Sequence, residues 1–405
     1  MFTPRSPIYL SHAPGIGVRH FATIAAVEAG FRGILISVMP LLMYEALVDE
    51  RLMSAAYLVV GLLSLLTGLL LPWVTRILPR RWAFTLAGGF YVVGCMVAVL
   101  GTGWSAPLAL LLNAMGTVIF TICLSAYVLD YIEREDLGRN ESTRMLFSGP
   151  SWTLGPVVGV MLRNWWAPAP FIVAGFFAVA MVMVFWRFRL GDGKQIQRAH
   201  GPAPNPLAYL GRFFRQPRLI AGWLFATIRS CGWWVYIVYL PVFAIQSGLG
   251  ENVGGIALSA SNAMLFSTPL MLRAVHRLSV RTAVRGGFLW SALLFVAAWL
   301  LAPWPWLTVA ALFAASAGLI FLDVCGGLPF LLAVKPSERT EMSAVYSSFR
   351  DVSGILSPLV AGAILLVAPV SAVFGVCGLA LAATLGAAQR LHPRLGMPRR
   401  GRVRS

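Results

Sequence analysis

The chain has 405 residues, of which 58% are hydrophobic and only 12% charged, with a formal net charge of +17. That balance excludes a soluble globular protein. The basic excess does not imply nucleic-acid binding, because the Arg residues fall in short stretches between long apolar runs. Each run is about 20 residues or more, long enough to cross a hydrocarbon core of about 30 Å. Backbone groups in lipid must be satisfied by a helix or a closed barrel. Barrel strands would alternate in polarity; these runs do not, so they read as helices.

Residues 1–20 contain no apolar core of their own, which predicts no cleaved signal peptide. Predicted spans follow at 20–47, 54–73, 82–102, 106–131, 143–165 and 168–188, then at 218–246, 252–272, 283–303, 306–334, 342–368 and 370–390. The division is a six-helix bundle over 1–188, an Arg-rich linker over 189–217, and a second six-helix bundle with a basic tail over 218–405. Every second loop carries bases: Arg76, Arg80 and Arg81; Arg134, Arg139 and Arg144; the linker; Arg273, Arg277, Arg281 and Arg285; Lys335 and Arg339. The intervening loops hold only Arg51 and Arg163. Basic loops stay on the cytoplasmic side, so both termini and the linker are expected there, in a cell inner membrane. The five cysteines all fall within apolar runs and read as small core residues.

The two halves repeat. Adding 201 to the stretch 28–40 gives 229–241, so that Pro40 lands on Pro241 and Glu28 on Arg229. The same offset carries Arg76 and Arg80 onto Arg277 and Arg281, and an offset of 202 carries Phe147, Leu154 and Pro156 onto Phe349, Leu356 and Pro358. Three separate stretches agree on one register to within a residue.

Twelve spans in two related halves, with an Arg-rich turn after spans two and eight, resemble the major facilitator superfamily over residues 18–390. The resemblance implies an all-α membrane fold of two pseudo-symmetric six-helix bundles, working as a transporter by alternating access. The loop signature is degenerate here: Thr75 stands where the family has an acid and Leu78 where it has a glycine. By the resemblance, Arg76 or Arg80 pairs with Asp130 at the end of span four to lock one face, and Arg277 and Arg281 are the equivalents in the second half. Gly155-Pro156-Val157-Val158-Gly159 resembles the Gly-Pro-x-x-Gly core of the family's antiporter motif, with Pro358 its echo; close helix packing is the expectation. Leu112 stands four residues before Gly116 where proton-driven relatives often carry Arg, with Asn113 beside it.

Charges inside a bilayer usually face a protein interior or a wet cavity. Away from helix ends the spans hold three acids (Glu28, Asp323, Asp351), three bases (Arg32, Arg229, Arg350) and no His. At a rise of 1.5 Å per residue, these lie about 10–18 Å along their helices. Spans one, four, seven and ten line the family's central cavity, which makes Glu28, Arg32, Asn113, Arg229, Trp233, Tyr236 and Asp323 the candidate cavity residues. Glu28 and Arg32 have the favourable i,i+4 order for a helix ion pair. Arg229, Trp233 and Tyr236 share one helix face, suited to a planar or anionic solute. Asp323 has no partner on its own helix, and Arg350 is the candidate across from it. Burial and a nearby guanidinium act in opposite directions on a carboxyl, so Glu28 or Asp323 is the expected proton carrier.

The leading expectation is therefore a monomeric secondary transporter for a small organic solute, coupled to protons, with lipid as its surroundings and no cofactor. Met39 and Met43 in span one leave open a transition-metal importer on the same fold. The missing acid at Thr75 leaves open a transporter-like assembly factor or sensor. No nucleotide loop or nucleophilic constellation points to an enzyme.

Overall fold

The computed structural model describes residues 17–101, 103–132, 137–188, 210–267, 279–327 and 345–389, with residues 270, 271, 273, 329, 330, 334 and 342 besides. The long helices are α1 Val18–Leu47, α2 Glu50–Ile77, α3 Arg80–Leu100, α4 Ser105–Tyr131, α5 Leu137–Trp165 and α6 Ala169–Arg187. The second set is α7 Pro217–Gln246, α8 Asn252–Ala263, α9 Val280–Leu300, α10 Pro305–Cys325, α11 Phe349–Leu365 and α12 Val370–Gln389. Among the described residues, eleven helices are long and apolar enough to cross a membrane. The exception is the span predicted over 252–272, of which the described residues form α8, a 3-10 turn over Met264–Ser267 and helix again at Leu270 and Met271. In the 3-10 turn the Ser267 hydroxyl donates to the Met264 carbonyl at 2.6 Å, a local bond that competes with the helical ladder.

Packing repeats between the halves. Helix α1 lies against α4, α5 and α6, and α7 against α10, α11 and α12; α3 contacts α4 and α6, and α9 contacts α10 and α12. Between the halves α2 meets α11 and α5 meets α8, again an exchange of equivalents, while α1 meets α7 on the pseudo-axis. Burial follows position: 78% of the most apolar stretch of α1 is buried, against 22% for α2, so α1 is central and α2 faces outward. Exposed Leu62, Leu66, Leu69 and Leu70 on α2 suit lipid contact. Exposed Trp104, Trp165, Trp304 and Trp306 ring one end, and Trp73 and Trp82 the other, as interfacial aromatic belts do.

Glycines set the α1–α5 seam. A Cβ on Gly155 would sit 2.5 Å from the Gly33 carbonyl carbon, and one on Gly159 would collide with the Ile34 carbonyl. The Pro156 carbonyl, turned out of the helix, accepts from Ser37 Oγ at 2.7 Å. Pro358 is buried at the equivalent place in α11.

Helix α10 also ends sooner than the sequence pattern suggests. Gly326 and Gly327 follow Cys325 directly, and glycine propagates a helix poorly. Asp323 therefore stands in the last turn of α10, not mid-helix.

Candidate functional site

Between the halves lies a cavity of about 350 Å³, lined from α1 (Phe31, Arg32, Leu35, Met39), α2 (Tyr57), α4 (Leu110, Asn113, Thr117) and α7 (Ser230, Trp233, Trp234, Ile237). That is at the small end of the range for organic-ligand pockets.

On the α1 side, Glu28 is 5% exposed beneath Arg32. Its Oε1 is 3.6 Å from Arg32 Nη1 and accepts from the Tyr91 hydroxyl at 3.1 Å. Tyr91 also lies 3.1 Å from Thr117 Oγ1, which donates to the Asn113 carbonyl at 2.9 Å. Gly116 permits this approach, since a Cβ there would come within 2.8 Å of the Tyr91 ring. Arg32 is held over the Trp152 ring at 5.1 Å. The pair is asymmetric: the Arg32 side chain is 39% exposed and that of Glu28 7%, so the cavity meets the cation.

On the other side, Arg229 Nε lies 3.0 Å from Asp323 Oδ1, and Trp233 Nε1 donates to Asp323 Oδ2 at 3.0 Å. Arg229 also faces the Phe349 ring at 5.5 Å. The partner of Asp323 is therefore Arg229 on α7; the expected Arg350 instead lies over its sequence neighbour Phe349, at 5.5 Å, the ring that Arg229 also faces. Here the acid is the more exposed partner, 36% against 12%.

The sequence matches the Major Facilitator Superfamily over residues 21–321. The chain belongs to the major facilitator superfamily. Among solved structures it is similar to the nucleoside transporter NupG (13% identity, 93% of this chain and 99% of that one, TM-score 0.71). It is also similar to a peptide transporter POT in complex with sulfate (15%, 93% and 95%, TM-score 0.74). A third is a D-xylose-proton symporter (12%, 93% and 98%, TM-score 0.68). At those identities the likeness shows the fold. No curated protein matches the sequence.

Within this superfamily fold, the structure brings Arg32, Asn113 and Trp233 to one cavity, buries Glu28 behind Arg32, and joins Arg229 and Trp233 through Asp323. Tyr236 is elsewhere: 1% exposed, its hydroxyl meets Ser261 Oγ at 2.7 Å and donates to the Ala257 carbonyl at 3.1 Å. It shares a helix face with Trp233, but that face turns from the cavity onto α8. Met39 lines the cavity, whereas Met43 is fully buried in the core. Of the expected lock residues, the side chains of Arg76 and Asp130, and all of Arg277, lie outside the described residues. Arg80 stands over the Tyr127 ring at 5.9 Å, and Arg281 Nε is buried without a hydrogen-bond partner among the described residues.

Polar contacts join the halves along α5 and α8, where the Val157 N–H donates to Ser259 Oγ at 2.9 Å and Asn262 to the Trp152 carbonyl at 2.7 Å, and in a cluster at the base-poor end. Arg163 forms ion pairs with Glu45 on α1 and, at 3.3 Å, with Glu251 beside α8. Asn164 donates to Asn252 at 2.6 Å, Gln246 to Glu50 at 3.1 Å, and Arg51 to the Leu365 carbonyl at 2.7 Å. Nearer the cavity Ser54 meets Tyr239 at 2.8 Å. Tyr91 and this ionic cluster were not among the residues singled out from sequence. For Arg163 the signal was present, since it is one of only two bases in the base-poor loops.

Proposed function

We propose that the chain is a secondary active transporter that moves a small organic solute across a cell inner membrane by alternating access. The observation that supports this reading best is the cavity at the junction of the halves, shut at one end by contacts that cross between them. By the distribution of loop bases, the shut end is periplasmic and both termini are cytoplasmic, so the form described is the inward-facing one. Residues 1–188 and 218–405 act as the two rocking bodies of a monomer, with 189–217 the cytoplasmic linker.

Protons are the proposed coupling ion, carried by Glu28, Asp323 or both. Each acid is tied to a guanidinium next to the cavity. A proton on the acid releases that guanidinium for another partner, and loss of the proton restores the pair, so solute and proton can be exchanged without an unpaired buried charge. Arg76, Arg80 and Asp130, with Arg277 and Arg281, are proposed to close the cytoplasmic end in the outward-facing form. The test is uptake into proteoliposomes under an imposed pH gradient. Glu28→Gln together with Asp323→Asn should abolish gradient-driven uptake while leaving exchange of solute across the membrane measurable. Unchanged gradient dependence in that double variant rules out these carriers.

A further inference from the structure

The cavity's charge and shape narrow the solute. Among the described residues that line it, Arg32 alone is charged, and it presents a guanidinium whose carboxylate partner is buried behind it. The opposite wall is aromatic and apolar: Trp233, Trp234, Ile237 and Tyr57. Asn113 lines the cavity by its helix position, but its amide oxygen is turned toward Gly94 on α3, so Arg32 is the polar group that meets a solute there. On α11, exposed Arg350 lies within electrostatic reach of Arg32, Arg144 and Arg229, and of the acids Asp323 and Asp351, a set with more bases than acids. A surface biased to one sign concentrates ligands of the other.

We propose that the solute is an organic monoanion with an aromatic body: a carboxylate or similar oxyanion taken by Arg32, with its ring against Trp233 and Trp234. This rests on reading the cavity as the transport site. A guanidinium matches a carboxylate by its paired donors, and Arg32 is already fixed over Trp152, so little freedom is lost on binding. A dianion has no second cation on this wall. A cationic or zwitterionic head would set an ammonium against a lining that holds no carboxylate among the described residues. An anion on Arg32 also competes with Glu28 for that guanidinium, so anion arrival and proton uptake on Glu28 become one exchange of partners.

The test uses a near-isosteric series on the purified full chain: 3-phenylpropionate, its neutral amide, 3-phenylpropylamine, and the zwitterion phenylalanine. Binding is read by thermal shift and by quenching of Trp fluorescence. The acid should bind about 10- to 100-fold more tightly than the amide, and the amine and zwitterion more weakly still. Arg32→Gln should make acid and amide equal, Arg32→Lys should restore part of the preference, and Trp233→Ala should weaken both alike. The ratio of acid to amide within one variant is insensitive to a general loss of stability. Tighter binding of the amine or of phenylalanine, absence of acid binding, or an acid preference that survives Arg32→Gln overturns the proposal. Uptake of the same series into proteoliposomes separates the two readings. Acid that binds but is never carried contradicts the transporter reading and leaves the ligand class standing; amide or amine carried in preference to acid does the reverse.

Discussion

Replacing Arg163 by Gln should release the base-poor end of the junction between the halves. The Arg163 side chain is 7% exposed and joins Glu45 to Glu251, whose side chains are 48% and 38% exposed. Because the acids are wet, each pair is discounted to about 0.5–1 kcal/mol, the upper part of the range for exposed ion pairs. The two together give about 1–2 kcal/mol, which is about a 5- to 30-fold change in the ratio of closed to open. Only the Glu251 contact crosses between the halves. The Glu45 contact acts indirectly, by holding the guanidinium in place, so the effect should fall in the lower part of that range. Spin labels on Val48 and Leu366, which are 78% and 62% exposed on opposite halves, report the gap and replace no side chain of the Arg163 ion pairs. Double electron–electron resonance on a background with the native cysteines replaced should show a longer-distance population growing in Arg163→Gln. Glu251→Gln should produce a smaller change in the same direction. Distance distributions that coincide in all three proteins would refute the reasoning, since the cluster would then not bias the equilibrium.

Further outcomes follow from the packing and the site. Gly155→Ala should lower the melting temperature in detergent, because its Cβ would meet Gly33 backbone at 2.5 Å and overpacking costs about 1–3 kcal/mol; Gly286→Ala, with open space at its Cβ, should not. Val48→Gly should raise the melting temperature. Val48 caps α1 at φ 60, a left-handed conformation that costs a β-branched residue about 1–2 kcal/mol, against about 0.5–1 kcal/mol for the added freedom of glycine in the unfolded chain. Asp323→Asn should lower the melting temperature more than Arg229→Met/Asp323→Leu, because removing the acid leaves the Arg229 guanidinium, 12% exposed, without its partner whereas replacing both leaves no charge stranded; thermal unfolding of the two variants checks this. Arg350→Gln should slow uptake of 3-phenylpropionate at low ionic strength and converge with wild type at high salt, where a field acting over about 10 Å is screened.

The helices were legible because the signal is physical and local. An apolar run long enough for the bilayer has few alternatives, and Pro40 and Pro241 lie inside α1 and α7 at equivalent places. Gly155 and Gly159 were legible as a close approach, since their spacing puts both on one helix face and the seam with Gly33 and Ile34 follows. The partners of the charged groups were not. Whether Asp323 meets Arg229 or Arg350 depends on how α10 sits against α7 and α11, which no spacing within one helix encodes. Tyr236 shows the limit of helical periodicity. Its spacing from Trp233 gives the face, but only the placement of α8 decides that this face ends in Ser261 and not in the cavity. Tyr91 carried no sequence signal at all: a lone Tyr in an apolar run becomes notable only when Gly116 lets its ring reach Glu28.

The most direct test ties the base-poor end shut. Asn164 and Asn252 touch through their side-chain amides at 2.6 Å across the two halves, so cysteines at both positions can be joined by a short, reducible bifunctional reagent. Proteoliposomes holding the linked protein should take up none of the phenylpropyl series, and reduction should restore uptake. Uptake that continues at full rate with the link closed would mean that solute crosses without the halves parting at that end.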